Sequence, residues 1–363
     1  MKNSIYLAGA FVGIIVGAGF GSGQEVMQFF TNFGIYSLPA VLVAMIFFSY
    51  IGMQIAQLGS HIQSTSHKDI IHLICGRYIG TAVDFILSFF LFGVAVIMIA
   101  GAGSVVEQQF GIPSQIGAIA MTIFTIATLL LKIDRIISII SSITPFLLVI
   151  MIVIAGYSIY NADSSLIEMK SYSNIEEAAA SNWILSSLLY VSFNIAVGFS
   201  MLSLMGGRLK NKKEAARGGI LGGILLGVLL LLINGGMLTN IQKVQGLDMP
   251  TLYLANNLSP ILGHMLSVIL LAMIYNTCVG MLYSFTARFV PTDASSFKGA
   301  VIVIGIVAFI SSFAGFSTLV GSVYPIMGYV GFVLLGGVFL SSIRSLHNSP
   351  DLVADLKEVE QAS

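Results

Sequence analysis

Apolar residues in this 363-residue chain fall in long unbroken blocks, not in the alternation of a half-buried strand. Crossing the hydrocarbon of a bilayer takes about 20 apolar residues in a helix. Ten blocks of that order are present, near 4–30, 35–60, 78–107, 113–131, 136–160, 183–205, 218–240, 260–287, 299–314 and 318–342. The pattern predicts an all-α membrane protein with ten transmembrane helices and no second domain. The first block has Lys2 ahead of it, as a signal peptide would. Its length and the nine blocks behind it favour an uncleaved first span.

Composition agrees. Apolar residues make up 56% of the chain and charged residues 9%, against about 25% charged in a soluble domain. A soluble protein of this length could not cover so much apolar surface. A soluble enzyme, a nucleic-acid binder and a disordered chain are therefore excluded. The lipid bilayer is the expected environment. Cys75 and Cys278 are too few for a disulfide framework and read as free thiols.

The charges are distributed unevenly. With the N-terminus inside and loops read alternately, the inner side receives Lys2, Lys68, Arg77, Lys132, Arg135, Arg208, Lys210, Lys212, Lys213, Arg217, Arg288, Lys298, Arg344 and Lys357. Those are 14 of the 16 basic residues, and only Lys170 and Lys243 fall outside. Basic residues stay on the cytoplasmic side, so ten spans with both termini cytoplasmic are expected, in a bacterial cell membrane. The outer loop 161–182 is acidic (Asp163, Glu168, Glu176, Glu177), and Trp183 follows it at the interface.

Ten spans divide into two halves of five, and an odd number forces the second half to run inverted. A shift of about 180 residues carries each of the first five spans onto the second five. Ser141-Ser142-Ile143-Thr144-Pro145 then aligns with Gly321-Ser322-Val323-Tyr324-Pro325. The expected organisation is a first repeat at 1–160, an outer loop at 161–182, a second repeat at 183–343 and a tail at 344–363. Pro145 and Pro325 can equally be plain helix kinks.

The first span contains Gly17-Ala18-Gly19-Phe20-Gly21-Ser22-Gly23-Gln24-Glu25. Each glycine costs a helix roughly 1 kcal/mol relative to alanine. Gly13, Gly17 and Gly21 fit a close-packing stripe, but Gly19 and Gly23 lie on another face. A break in the helix accounts for the whole set. It would free N–H groups near Gly21 to Gly23 for a carboxylate, and carbonyls before it for a cation. One repeat later stand Phe193, Asn194, Gly198, Phe199 and Ser200, where a second break and an ordinary helix are equally compatible with the residues.

Glu25 is a carboxylate well inside the first span, extended by Gln24 and Gln28. An acid at depth marks a pathway or a proton site by default; a neutral, hydrogen-bonded Glu or a surface Glu near the span's outer end are the alternatives. Asp84 reads as structural or gating, and Glu107 as solvated. Asn276, Thr277, Gly280 and Ser284 make the eighth span polar, as a pathway lining or as helix-to-helix contacts. Gly218, Gly219, Gly222, Gly223, Gly227, Gly235 and Gly236 in the seventh read as packing. Phe20, Tyr190, Phe193 and Phe199 are either gates or core.

The segment Val16 to Phe30, the ten spans and the repeat resemble the YkvI-type membrane proteins, also grouped as amino acid permeases of the amino acid–polyamine–organocation superfamily with the LeuT-like fold. The likeness covers nearly the whole chain. It implies a 5+5 inverted repeat with discontinuous first and sixth helices. It also implies a substrate site between them, at Gly17, Ala18, Gly19, Phe20, Gly21, Ser22 and Gly23, with Phe193, Asn194, Gly198, Phe199 and Ser200 opposite. A sodium site of this fold would use carbonyls near Gly13, Val16 and Ile274, with hydroxyls at Thr277 and the next residue. That residue is Cys278, and a thiol suits a hard cation poorly. The departure raises proton coupling, with Glu25 as candidate.

The expected function is ion-coupled secondary transport of a small organic solute, an amino acid first and another amine or a nucleobase-like solute second. No cofactor is expected beyond a coupling Na+ or H+, and no metal, nucleic acid or enzymatic activity; the sequence leaves the oligomeric state open. Rival readings are a channel and an intramembrane hydrolase with Ser22 as nucleophile and His264 as base.

Overall fold

The computed structural model describes residues 2–62, 67–130, 144–162, 169, 172–209, 211–292 and 294–347. Lys132, Arg135, Ser141 to Ile143, Asp163, Glu168, Lys170, Lys210 and Lys357 lie outside them, as do the side chains of Cys75, Asp84 and Ser200.

The regular elements of the described residues are helices. The first span is in three pieces, α1 (Lys2–Ile15), α2 (Ala18–Ser22) and α3 (Gln24–Phe29), followed by a 3-10 turn at Thr31–Tyr36. Then come α4 (Ser37–Ile62), α5 (His67–Phe110), α6 (Ser114–Leu130) and α7 (Thr144–Tyr160). The second half has α8 (Trp183–Gly207), α9 (Lys212–Leu238), the short α10 (Ile241–Val244) and α11 (Pro250–Leu258), α12 (Pro260–Phe289), α13 (Phe297–Ser312) and α14 (Phe316–His347). Each apolar block predicted above holds one span.

Five stretches are long and apolar enough to cross a bilayer alone, and a sixth, α8, does so with a 57° bend between Phe199 and Met201. The other four are shorter apolar helices. Of these, α1 is half of an interrupted span, and α6 and α7 flank residues outside the described set. The third span, expected at 78–107, belongs to a helix of 44 residues. At 1.5 Å per residue that is about 66 Å, twice the hydrocarbon thickness. Hydropathy cannot see its polar first turns, which continue the helix beyond the lipid.

Each of the first four spans packs on its counterpart five spans later: α1 on α8, α4 on α9, α5 on α12 and α6 on α13. The first, second, sixth and seventh spans form one group (α4 also packs on α8, and α1 on α9), and the third, fourth, eighth and ninth form another. Helix α14 joins the groups through α8 and α5.

Lipid tails are as apolar as leucine, so helices associate in a bilayer by close packing. The α9 glycines provide it in two rows. Gly218 and Gly222 lie under Leu7 and Phe11 of α1; a Cβ on Gly222 would come 2.6 Å from the Phe11 ring. Gly219, Gly223 and Gly227 lie against Gly52, Ser49 and Met45 of α4.

Contacts between segments distinguish two ends of the helix bundle. At one end Asn3 Nδ2 donates to Glu214 Oε2 (2.9 Å) and Ser60 Oγ to the Leu209 carbonyl (2.5 Å). At the other, Ala179 N donates to the Gln28 carbonyl (2.9 Å).

Gly223→Ala should lower stability by about 1–3 kcal/mol through overpacking against α4. Gly9→Ala, which meets nothing within 4 Å, should be neutral or slightly stabilising. Thermal unfolding of the purified protein in detergent checks both.

Candidate functional site

Helix α1 ends at Ile15, and Gly17 is extended (φ −108°, ψ −166°) before α2 begins. Helix α2 has five residues and stops at Gly23, whose φ of 82° is left-handed. The first span thus breaks twice, at Val16-Gly17 and at Gly23, and the first break comes earlier than the expected start at Gly21 to Gly23. Gly23 is required on two counts. Its φ disfavours a side chain, and a Cβ would lie 2.7 Å from Thr251 Cγ2.

Bilayer hydrocarbon offers no hydrogen bonds, so the freed backbone needs partners. Thr251 Oγ1 of α11 donates to the Gly21 carbonyl (2.5 Å). Ser22 Oγ donates to the Gly19 carbonyl (2.7 Å) and accepts from Gln24 N (3.2 Å). By helix geometry, the N–H groups of Ala18, Gly19 and Phe20 and the carbonyls ending α1 have no partner inside their own helices. Gly13 and Gly17, beside this gap, meet no atom within 4 Å of a Cβ position, and neither does Gly280 of α12.

The sixth span bends at Ser200, at the far edge of the 193–200 stretch. Gly198 faces Ile14 Cγ2 at 3.1 Å, so the two interrupted spans meet where α1 ends. Asn194 Nδ2 donates back to the Tyr190 carbonyl (3.0 Å). Phe193 stacks on Tyr324 of α14, with ring centroids 4.8 Å apart. Phe20 and Phe199 are fully buried.

Glu25, on α3, is 6% exposed, which removes the surface alternative. Its carboxylate lies over Gly19, where a Cβ would strike Oε1. The charged or ionisable groups near enough to interact with it are Tyr190 of α8 and Tyr324 of α14. No Lys, Arg or His among the described residues pairs with it. Phe29 and Phe193 pack on the Tyr190 ring, each with its centroid 5.3 Å away. The Tyr190 hydroxyl is buried and faces Glu25 without a hydrogen bond of good geometry.

One turn closer to the loop 172–182, a second polar layer ties four segments together. Asp248, in the loop before α11, accepts from Ser104 Oγ of α5 (2.7 Å) and from Ser317 Oγ of α14. Ser317 Oγ accepts from Gln24 Nε2 (2.9 Å), and the Ser317 carbonyl from Gln28 Nε2 (2.8 Å). The Ser317 hydroxyl thus relays from Gln24 to Asp248, accepting from the amide and donating to the carboxyl. The Oε1 atoms of Gln24 and Gln28 remain buried without a partner. Gln108 of α5 clamps the adjoining Met249 backbone by two bonds of 2.8 and 3.0 Å. Loop 172–182 is tied down by Asn174 N to the Asn32 carbonyl (2.9 Å) and by Asn32 Nδ2 to the Glu177 carbonyl (3.1 Å). Burial raises the pKa of Tyr172 in this loop, favouring the neutral phenol that faces Asn32 Oδ1 at 3.4 Å. A cleft of about 410 Å³ opens here between α3, α14 and the two loops.

Other expected residues fall elsewhere. The Cys278 thiol is buried and turned to the Ala95 carbonyl of α5 (3.8 Å). Ile274 is buried and Thr277 half-buried on α12, which meets α2, whereas α1 rests on α9 and α8. Ser22 and His264 do not form a pair: Ser22 bonds local backbone, and His264 Nδ1 meets the Pro260 carbonyl at 2.7 Å. Glu107 is exposed. Thr251, Asp248, Ser104 and Ser317 were not singled out by the sequence, because their roles depend on contacts up to 293 residues apart.

Asp248→Ala leaves both serines without their acceptor and should cost about 1–3 kcal/mol. In a double-mutant cycle with Ser317→Ala, measured by thermal unfolding, the two losses should be less than additive.

No protein-family profile matches the chain. It is 24% identical over 310 residues to the uncharacterized membrane protein YkvI of Bacillus subtilis, covering 84% of this chain and 86% of the relative. With YyaD of the same organism it shares 26% over 279 residues, 76% of this chain and 78% of the relative. Among solved structures, it superposes on inward-facing Mhp1 with a TM-score of 0.63 (15% identity, 93% of this chain and 76% of that one). The TM-score is 0.60 for MhsT in complex with L-phenylalanine (17% identity, 98% and 91%). It is 0.57 for a mutant manganese transporter of Eremococcus coleocola (14% identity, 99% and 92%). The chain is thus a multi-pass membrane protein related along most of its length to YkvI, and its fold is the LeuT-like fold.

Proposed function

We propose that this chain is a secondary transporter that moves a small organic solute, an amino acid in the first instance, across a bacterial cell membrane. The observation that carries the reading is the meeting of two interrupted spans beside a buried carboxylate, Glu25. Broken helices at the midplane of an internal repeat are where transporters of this architecture bind cargo. A fold in which an L-phenylalanine complex and a manganese transporter both occur leaves cargo class open, so the chemistry of the site has to choose. Among the described residues no group of three His, Cys, Asp or Glu side chains could hold a metal ion, and the backbone N–H groups of Ala18 to Phe20, which have no partner inside α2, suit a carboxylate.

The mechanism is alternating access. The Asp248 layer joins α3, α5 and α14 at the loop 172–182 end. Along one face of α1, Gly9, Gly13 and Gly17 border open space toward the other end. Closure at one end with space at the other favours a carrier over a continuous pore. The basic-residue count puts both termini, and with them the Gly9 end, in the cytoplasm. Coupling is to protons through Glu25, because the sodium-type set is weakened at Cys278, whose thiol is engaged by α5.

Protein reconstituted in liposomes should accumulate an amino acid when a proton gradient is imposed, and flux insensitive to both proton and sodium gradients would contradict coupling. Gly19→Leu puts a side chain where the Glu25 carboxylate lies. Its uptake should fall by at least about ten-fold, a barrier change of ~1.4 kcal/mol, while it still elutes as a single species on size exclusion.

A further inference from the structure

We propose that the corner between α8 and α9 binds an anionic phospholipid, with Lys213 and Arg217 on its phosphate and its acyl chains along the apolar stripe of α9. The inference is independent of the transporter reading and needs only that the chain crosses a bilayer.

Four segments meet at this corner. Asn3 Nδ2 of α1 donates to Glu214 Oε2, and Ser4 Oγ to the Glu214 carbonyl (both 2.9 Å). Ser60 Oγ of α4 donates to the Leu209 carbonyl (2.5 Å), and Lys212 lies near His61 of α4. Together the segments bring Lys2, Arg208, Lys212, Lys213 and Arg217 to one end of the bundle, and all five are exposed. Against them stands one acid among the described residues of these segments, Glu214, and Asn3 holds it.

The basic residues of α9 are in register with its outer face. Lys213, Arg217, Leu221, Ile224 and Val228 follow at intervals of three and four residues, which puts them on one side of the helix. Leu221, Ile224, Leu225 and Val228 are exposed, whereas Gly219, Gly223 and Gly227 on the other side pack on α4. An exposed apolar stripe on a spanning helix meets acyl chains. At 1.5 Å per residue, Arg217 stands about 6 Å and Lys213 about 12 Å beyond Leu221 along the axis. Long basic side chains at the end of a span reach for the head-group level.

A ligand that fits this face is apolar at one end and anionic at the other. The Arg217 guanidinium can bond two phosphate oxygens at once, and the Lys213 ammonium adds a point charge. Asn211 caps α9 by accepting from Lys213 N (3.0 Å), which orders the turn that presents both side chains. Basic clusters just beyond a span recognise anionic lipids for this reason. A soluble polyanion would use the charges and leave the stripe idle. A zwitterionic lipid would bring its ammonium to a patch whose one acid is taken.

The test is native mass spectrometry of the purified full chain in neutral detergent. Phosphatidylglycerol and phosphatidylcholine with the same acyl chains are added in equal amounts. Phosphatidylglycerol should be retained in preference by at least about three-fold. Lys213→Gln/Arg217→Gln should lose that preference. Arg288→Gln/Lys298→Gln, the same change of charge on α12 and α13, should keep it. Lys213 and Arg217 are exposed, so their variant should fold normally; if it does not, the two single variants decide, each with part of the loss. Inorganic phosphate in large excess should not displace phosphatidylglycerol. Equal retention of the two lipids, an unchanged preference in the Lys213 and Arg217 variants, or the same loss in both double variants would overturn the inference. Displacement by inorganic phosphate would overturn it too, by assigning the patch to a soluble anion. A chain that binds phosphatidylglycerol in this way and transports nothing would contradict the transporter reading alone.

Discussion

A backbone that leaves the helix inside a bilayer must find new hydrogen-bond partners, because the hydrocarbon supplies none. The rest of this structure is arranged around that demand. The first span leaves the helix at Gly17 and again at Gly23. Thr251, from a helix outside the ten spans, reaches one freed carbonyl, and Ser22 folds back onto another. Gly13 and Gly17, beside the first break, border open space. The counterpart bend in α8 touches this gap through Gly198 and Ile14. The glycine rows of α9 let α1 and α4 approach closely enough to hold the pieces in place.

The second constraint is charge. Glu25 sits two residues past the second break, near Tyr190 and Tyr324 and with no basic residue among its described neighbours. A polar layer adjoins it on the side of the loop 172–182. Asp248 draws together α5, α14 and, through Ser317, the Gln24 of α3. Closing this layer buries two glutamine oxygens without partners, which costs roughly 1–3 kcal/mol apiece. This end is therefore held by one set of bonds and opposed by the cost of two unpartnered oxygens.

Much of this was legible in the chain. The ten spans follow from block length, and the repeat follows from the odd number of spans in each half. Glycines on incompatible faces implied a break, and the place of Glu25 inside the first span implied the burial it has. The position of the break was less legible. Propensity weighs Gly17, Gly19, Gly21 and Gly23 alike, yet Gly19 and Gly21 remain helical in α2. What distinguishes Gly23 is its positive φ and its contact with Thr251, a tertiary matter. The Asp248 layer was not legible, since Ser104, Asp248 and Ser317 are ordinary loop and helix residues until the fold brings them together. The full length of α5 was hidden because its first turns are polar.

The central claim is that a proton held at one buried carboxylate, Glu25, is coupled to solute movement. Uptake into liposomes under an imposed proton gradient, compared between the wild type and Glu25→Gln, measures this directly. Uptake should follow the gradient in the wild type and lose that dependence in Glu25→Gln. Uptake that ignores the gradient in the wild type, or the same dependence in Glu25→Gln, would contradict it.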